Sequence, residues 1–325
     1  MLARLRQSAF RSAIVAVSAI SAGVFSGGRT ALAADEVRVG TPEGTAFMFA
    51  VIDVGIGAGI FAKHDLSVEK INFAGGGKLQ EGVTSGAVDL TVSGNTDLAF
   101  VAKGVPEKGV AVTTAAPVEM SIIVRTDGDI TKIADLKGKT IGVTSPTSLT
   151  SWLALSLARR EGWGPEGVKR AYVGAMSSEV AGLLVKNVDA IVGPVEGAYI
   201  LEAKGQAKPL ITFGDMKVFI THVIYASDAI IKDHPDTVRR FVAAWFDTVK
   251  YMVANKEETI RLTEPATKLP PDIASKVYDL ETPALSLTGR FDPQAVDVVM
   301  QSFVDLGVLD SVPKDKVLYT EAFLP

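Results

Sequence analysis

Two short stretches carry the polar groups best suited to holding a small ligand. Ser145-Pro146-Thr147-Ser148 ends one apolar run and opens a helix-like one, and Gly94-Asn95-Thr96 stands in the same relation to its own neighbours. Unpaired backbone N–H groups at such a helix start, with the positive end of the helix dipole, attract a carboxylate or a sulfonate. The same hydroxyls also serve as ordinary N-caps, which need no ligand. Other loops add candidates. Thr41, Glu43, Gly44 and Thr45 follow the opening strand, and Gly75 and Gly76 precede a helix whose Lys78 could add charge or simply be solvated. Glycine lets backbone approach a ligand closely, and hydroxyls offer neutral hydrogen bonds. Glu43 and Glu196 point the other way. If both face one space, they oppose an anion and favour a cation or amine. His222 is either a structural hydrogen-bonder or a ligand contact, and Phe47, at the first turn of its helix, is the best placed aromatic.

Several chemistries are disfavoured. The chain has no cysteine, which removes disulfides, thiolate metal sites and a cysteine nucleophile. Its histidines, at 64, 222 and 234, lack metal-ligand spacing, so neither a metal nor a cofactor is expected. Gly75-Gly76-Gly77-Lys78 lacks the full phosphate-loop spacing. No serine–histidine–aspartate or paired-carboxylate arrangement can be assigned from spacing.

The elements that must position these loops form a repeat. Strands are predicted at 37–40, 66–73 and 88–92, alternating with helices at 47–61, 78–85 and 97–103. The same order returns about a hundred residues later. Strands fall at 140–143, 169–173 and 188–192, with helices near 148–161, 179–186 and 196–204. Gly82 corresponds to Gly182, and Val88-Asp89 to Val188-Asp189. The paired aspartates read as turn or capping residues. Such βαβ alternation implies mainly parallel sheets covered by helices, with ligands beyond the carboxyl ends of the strands. The fold class is therefore α/β, with two lobes and a cleft between them. Lobe one is expected over 34–124, lobe two over 125–222, and a return to lobe one over 223–325, mostly helical and packing back on that lobe. Runs at 120–124 and 218–226 are the candidate crossings.

The N-terminus reads as a secretory leader over 1–33. Arg4, Arg6 and Arg11 precede an apolar stretch too short to span a bilayer, and Ala31-Leu32-Ala33 fits the small-x-small cleavage rule. The chain holds 33 Lys+Arg against 37 Asp+Glu, and losing the leader leaves the remainder more acidic. That argues against a nucleic-acid partner.

The order of motifs resembles the type II periplasmic binding proteins of the nitrate, sulfonate and taurine class. The likeness is carried by Thr41-Pro42-Glu43-Gly44-Thr45, by Gly82-x-x-Ser85-Gly86-x-Val88-Asp89-Leu90 with Ser93-Gly94-Asn95-Thr96, by Ile133-Ala134-Asp135-Leu136-Lys137-Gly138-Lys139-Thr140-Ile141-Gly142-Val143, and by Ala226-Ser227-Asp228 with His234-Pro235. The third stretch is specific for the fold and weak for the ligand. Family members often carry a tryptophan-glutamate-proline group where this chain has Gly193-Pro194-Val195-Glu196. The resemblance implies a monomeric periplasmic receptor that delivers a small solute, here expected to be an organic anion, to the membrane permease of an ABC importer. A receptor for an amine-bearing or pyrimidine-like ligand, a sensory partner, and an enzyme of pyrimidine biosynthesis are the alternatives.

Overall fold

The computed structural model describes residues 34–313 and 317–325, so the expected leader lies outside the described residues. The first half runs β1 (Asp35–Thr41), a 3-10 turn (Phe47–Phe49), α1 (Val51–Gly57), α2 (Ile60–Lys63), β2 (Leu66–Asn72), α3 (Gly76–Ser85), β3 (Leu90–Gly94), α4 (Thr96–Ala102) and β4 (Glu107–Thr114). The second runs β5 (Met120–Arg125), a 3-10 turn (Ile133–Leu136), β6 (Thr140–Val143), α5 (Leu149–Arg160), β7 (Lys169–Tyr172), α6 (Met176–Leu184), β8 (Ala190–Pro194), α7 (Val195–Ala203) and β9 (Ala207–Thr212). The chain then returns through β10 (His222–Ser227) to α8 (Asp228–Asp233), α9 (Pro235–Ala254), α10 (Lys256–Thr267), α11 (Pro271–Glu281) and α12 (Pro293–Asp305).

Two five-stranded sheets result, ordered β2-β1-β3-β10-β4 and β7-β6-β8-β5-β9. In each, four strands run one way. The reversed strand, β10 or β5, is the first to follow a crossing between the sheets and pairs antiparallel with both neighbours. The expected boundary after residue 124 therefore shifts. The run at 120–124 belongs to the second sheet, and the first crossing lies in 115–119. An apolar strand read alone does not say which sheet it joins. The edge strands β4 and β9 were not anticipated either, because they stand outside the repeated pattern, and β9 carries Pro209, which an edge tolerates. The helix expected over 47–61 breaks at Gly59, whose φ of 67° is left-handed.

Asp89 and Asp189 do more than turn the chain. Asp89 accepts from the Arg38 backbone N–H at 2.9 Å and from the Arg38 guanidinium at 3.0 and 2.7 Å. Asp189 accepts from the Thr140 N–H at 2.8 Å. Each aspartate at the entry to the third strand of its lobe thus clamps the first strand beside it.

One hydrophobic core joins β1 and β3 to α1, α2 and α9, with Phe61 stacked on Phe241 at 5.3 Å. A second joins α4, α12 and the antiparallel strands of both sheets to β6 and α5, with Trp152 stacked on Phe219 at 4.9 Å. Of the tail, α9 and α11 contribute to the first core and α12 to the second. Helix α11 also packs on α7 of the second lobe, where Lys276 lies 3.8 Å from Glu202 and 5.5 Å from the centre of the Tyr199 ring.

Candidate functional site

The carboxyl ends of the strands of both lobes meet at a cavity of about 420 Å³. From the first lobe it is lined by Glu43, Phe49, Gly75, Gly76, Gly94, Thr96 and Asp97, from the second by Thr144 and Leu149, and from the returning strand by His222. A larger groove of about 720 Å³ lies at the opposite, amino end of β1, beside α8 and α9. Three of its charged groups are engaged in ion pairs, Arg38 with Asp89 and Asp35 with Arg240.

The expected residues divide into two groups. Glu43, Gly75, Gly76, Gly94, Thr96 and His222 line the cavity. The rest serve the scaffold or stand aside. Thr41 is buried, with its hydroxyl 2.8 Å from both the Glu43 carbonyl and Asn72 Oδ1. Gly44 is held so close to Asn72 that a Cβ would come within 2.8 Å of its amide. Asn95 donates its side-chain N–H to the Ile220 carbonyl at 2.6 Å, tying the loop to the second crossing. Thr45 and Thr147 are exposed outside the cavity lining. Ser148 caps its own helix, accepting from the Ser151 N–H at 3.2 Å and donating to the Ser145 carbonyl at 2.8 Å. The loop with the strongest claim to an anion is thus closed on itself by its own hydroxyl. Phe47 is a core residue that meets Tyr278 edge-on at 6.4 Å. Phe49, two residues on, lines the cavity instead and packs edge-on against His222 at 5.2 Å. A 3-10 turn shifts each side chain by about 120°, which a sequence reading of this stretch as α-helix misplaces.

Carboxylates dominate the junction between the lobes. Glu196, in the first turn of α7, crosses from the second lobe so that its Oε1 accepts the Phe47 N–H at 3.3 Å. Its other oxygen has no partner among the described residues. Burial raises its pKa to about 7, and the nearby Glu43 charge adds to the rise. Glu43 keeps exposed surface, yet desolvation at the cleft wall also pushes its carboxyl up. Glu119, in the first crossing, is raised to about 8 by burial and by repulsion from Glu196. Glu281, the last residue of α11, is fully buried and raised well above the ordinary value by burial and by both glutamates. Neither oxygen of Glu119 or Glu281 has a hydrogen-bond partner among the described residues. His222 Nδ1 lies 3.9 Å from Glu119 Oε1, beyond hydrogen bonding, and burial drags the imidazole down to about 4, so it is neutral. On the first-lobe wall, Asp97 is buried with its carboxylate bonded to Ser93, and desolvation raises it to about 7. No lysine or arginine lines the cavity among the described residues.

Asp97, Glu119 and Glu281 were not anticipated. For Glu281 a signal existed. It continues the buried stripe Ile273, Ala274, Val277 and Tyr278 of α11, and an acid on an apolar stripe needs an explanation.

A family model described as NMT1/THI5 like matches residues 47–259, more than half of the chain. The chain belongs to the NMT1/THI5-like family. Among solved structures, the fold is similar to the alkanesulfonate-binding protein SsuA from Xanthomonas axonopodis pv. citri, bound to MOPS. The TM-score is 0.70 at 17% identity, covering 87% of this chain and 96% of that one. The periplasmic aliphatic sulphonate binding protein SsuA from Escherichia coli matches with a TM-score of 0.73, also at 17% identity and with the same coverage. A desulfurization enzyme, DSZB, matches with a TM-score of 0.67 at 15% identity over 89% of this chain and 97% of that one. No curated protein matches in sequence. The family and these likenesses fix the architecture as the two-lobed type II periplasmic binding fold. No helix among the described residues is long and apolar enough to cross a membrane.

Proposed function

We propose that this protein is the periplasmic solute-binding receptor of an ABC importer, and that it holds a small amine- or amidine-bearing ligand, an aminopyrimidine among them, between its lobes. The observation that carries the ligand class is Glu43 in the cavity lining, with Glu119 buried behind the lining residue His222 and Glu196 buried against the Phe47 backbone, and with no lysine or arginine in the described cavity lining. A buried carboxylate is costly unless paired, and a cationic or N–H-rich ligand supplies the pair. The organic anion first expected from the helix starts is displaced on the same ground. Ser148 fills its own cap, which takes that helix start out of use as an anion site. The sulfonate-binding receptors support the receptor role, and at 17% identity their ligands do not transfer. Closure of the lobes on the ligand is a hinge motion about the two crossings. The closed monomer would then dock on the membrane permease.

A thermal-shift screen of the purified protein tests this reading. The arms are primary amines, amidines, aminopyrimidines, carboxylates and alkanesulfonates. Ligand binding to the folded state raises the melting temperature by mass action. Amines or amidines should stabilise. Stabilisation by sulfonates or carboxylates alone would overturn the ligand class, and product formed on incubation would overturn the receptor role.

A further inference from the structure

The outstanding feature is a buried carboxyl that neither lobe supplies. Glu281 sits at the end of α11, in the tail, with no exposed surface and with both oxygens unpartnered among the described residues. Helix α11 touches the turn around Phe47 on one side and α7 on the other. Its last residue therefore lies where the first lobe, the second lobe and the tail come together.

The groups facing that point leave Glu281 without a counter-charge. From α7 come Glu196 and Tyr199, whose phenol is itself pushed up by burial and by the charges of Glu202, Glu281 and Glu196. From the first crossing comes Glu119, and behind it β10 presents His222 in its neutral form, with Nδ1 unpartnered. Glu43 in turn repels Glu196. The lysines seen on the surrounding helices are engaged elsewhere. Lys276 lies over Tyr199 beside Glu202, and Lys256 is paired with Asp279 at 2.6 Å. Three carboxyls from three chain segments thus converge with five unpartnered oxygens and no cation among the described residues. Burial of unpaired polar groups at that density is expensive, and a ligand is the partner that relieves it.

We propose that Glu281 completes, with Glu119 and Glu196, a three-carboxylate seat for the N–H-bearing cationic head of the ligand, so that the C-terminal tail and not the two lobes alone sets specificity. The proposal rests on the receptor reading and deepens it. A primary ammonium carries three N–H donors and an amidinium a planar set, so either can meet three carboxylates. A quaternary ammonium has the charge and no donor, and is refused. The seat holds protons when empty and gives them up when the cation enters.

Isothermal titration of the intact protein tests this, using benzylamine, benzamidine, 4-aminopyrimidine and, as the donor-free control, benzyltrimethylammonium. Titrations at pH 7 in two buffers of different ionisation enthalpy report the protons released. At least one N–H-bearing probe should bind wild type with proton release, and the quaternary control at least tenfold more weakly. Glu281→Gln should lose about tenfold to a hundredfold in affinity and release fewer protons. Glu281→Asp should recover part of both. Unchanged affinity and proton release in Glu281→Gln would overturn the role of Glu281 and leave the receptor reading standing. Wild type that takes up none of the probes would overturn both. Should the variants not fold, the wild-type comparison decides alone, because equal affinity for the primary and quaternary cations defeats a donor-reading seat.

Discussion

The two lobes are copies in which one acid has moved by a single residue. In the first, β3 leads into α4 through Gly94-Asn95-Thr96-Asp97, and in the second β8 leads into α7 through Pro194-Val195-Glu196-Gly197. Asp97 turns inward and binds Ser93 of its own lobe, whereas Glu196 reaches across to the backbone of Phe47 in the other. A helix advances about 100° per residue, so a shift of one position carries an acid from one face of the helix to another. The same local chemistry therefore stabilises a strand end in one lobe and joins the lobes in the other.

The largest effect expected is on the pH dependence of stability. Asp97, Glu107, Glu119, Glu179, Glu196 and Glu281 all have raised pKa values through burial, to about 7 or 8 where resolved. A carboxyl held above its unfolded value contributes stability that is present below about pH 4.5 and lost as pH rises through the folded value. His222, lowered to about 4, runs oppositely, its contribution being lost as pH falls from about 6.5. Without ligand, the urea midpoint should therefore be higher at pH 5.5 than at pH 8.5, by a few kcal/mol in unfolding free energy. Asp97→Asn and Glu196→Gln should each flatten the slope. A profile that is flat in wild type would mean that water reaches both carboxyls and that the lobes do not differ in this respect.

Ligand affinity separates the two acids more sharply. Glu196→Gln should weaken binding of an amine by about tenfold to a hundredfold, the usual range for a hydrogen bond to a charged group. Asp97→Asn should stay within about threefold, because its carboxyl is already committed to Ser93. Titration calorimetry with both variants decides this, and the reverse order would place the ligand on the first-lobe wall.

The aspartate clamps offer a smaller contrast. Asp89→Ala breaks three bonds to Arg38 and should cost about 2 kcal/mol, whereas Asp189→Ala breaks one and should cost about 1 kcal/mol, read from denaturant midpoints. An effect of the same small size is expected where the repeat differs at a helix end. Gly86 closes α3 with a φ of 72°, and Lys186 takes up the equivalent left-handed position after α6 with a φ of 66°. Lys186→Gly should raise stability by about 1 kcal/mol, since the left-handed conformation strains a residue with a Cβ. Loss of stability would instead assign weight to the exposed contact of Lys186 with Asp127 at 3.4 Å.

The repeat, the parallel order of its three strands in each lobe and the loops that follow them were legible in the chain, because hydrophobic period and glycine placement are local properties. Glu43, Gly75, Gly76, Gly94, Thr96 and His222 line the cavity for that reason, since a strand end followed by a helix start can be read within a few residues. That the run at 120–124 becomes β5 of the second sheet was not legible, because strand pairing is a long-range choice that an apolar run does not encode. Nor was the convergence of Glu119, Glu196 and Glu281. These residues come from a crossing, a lobe and the tail, and no local pattern brings the three together. Only packing removes them from water together, and that shared desolvation raises all three carboxyls above their ordinary values.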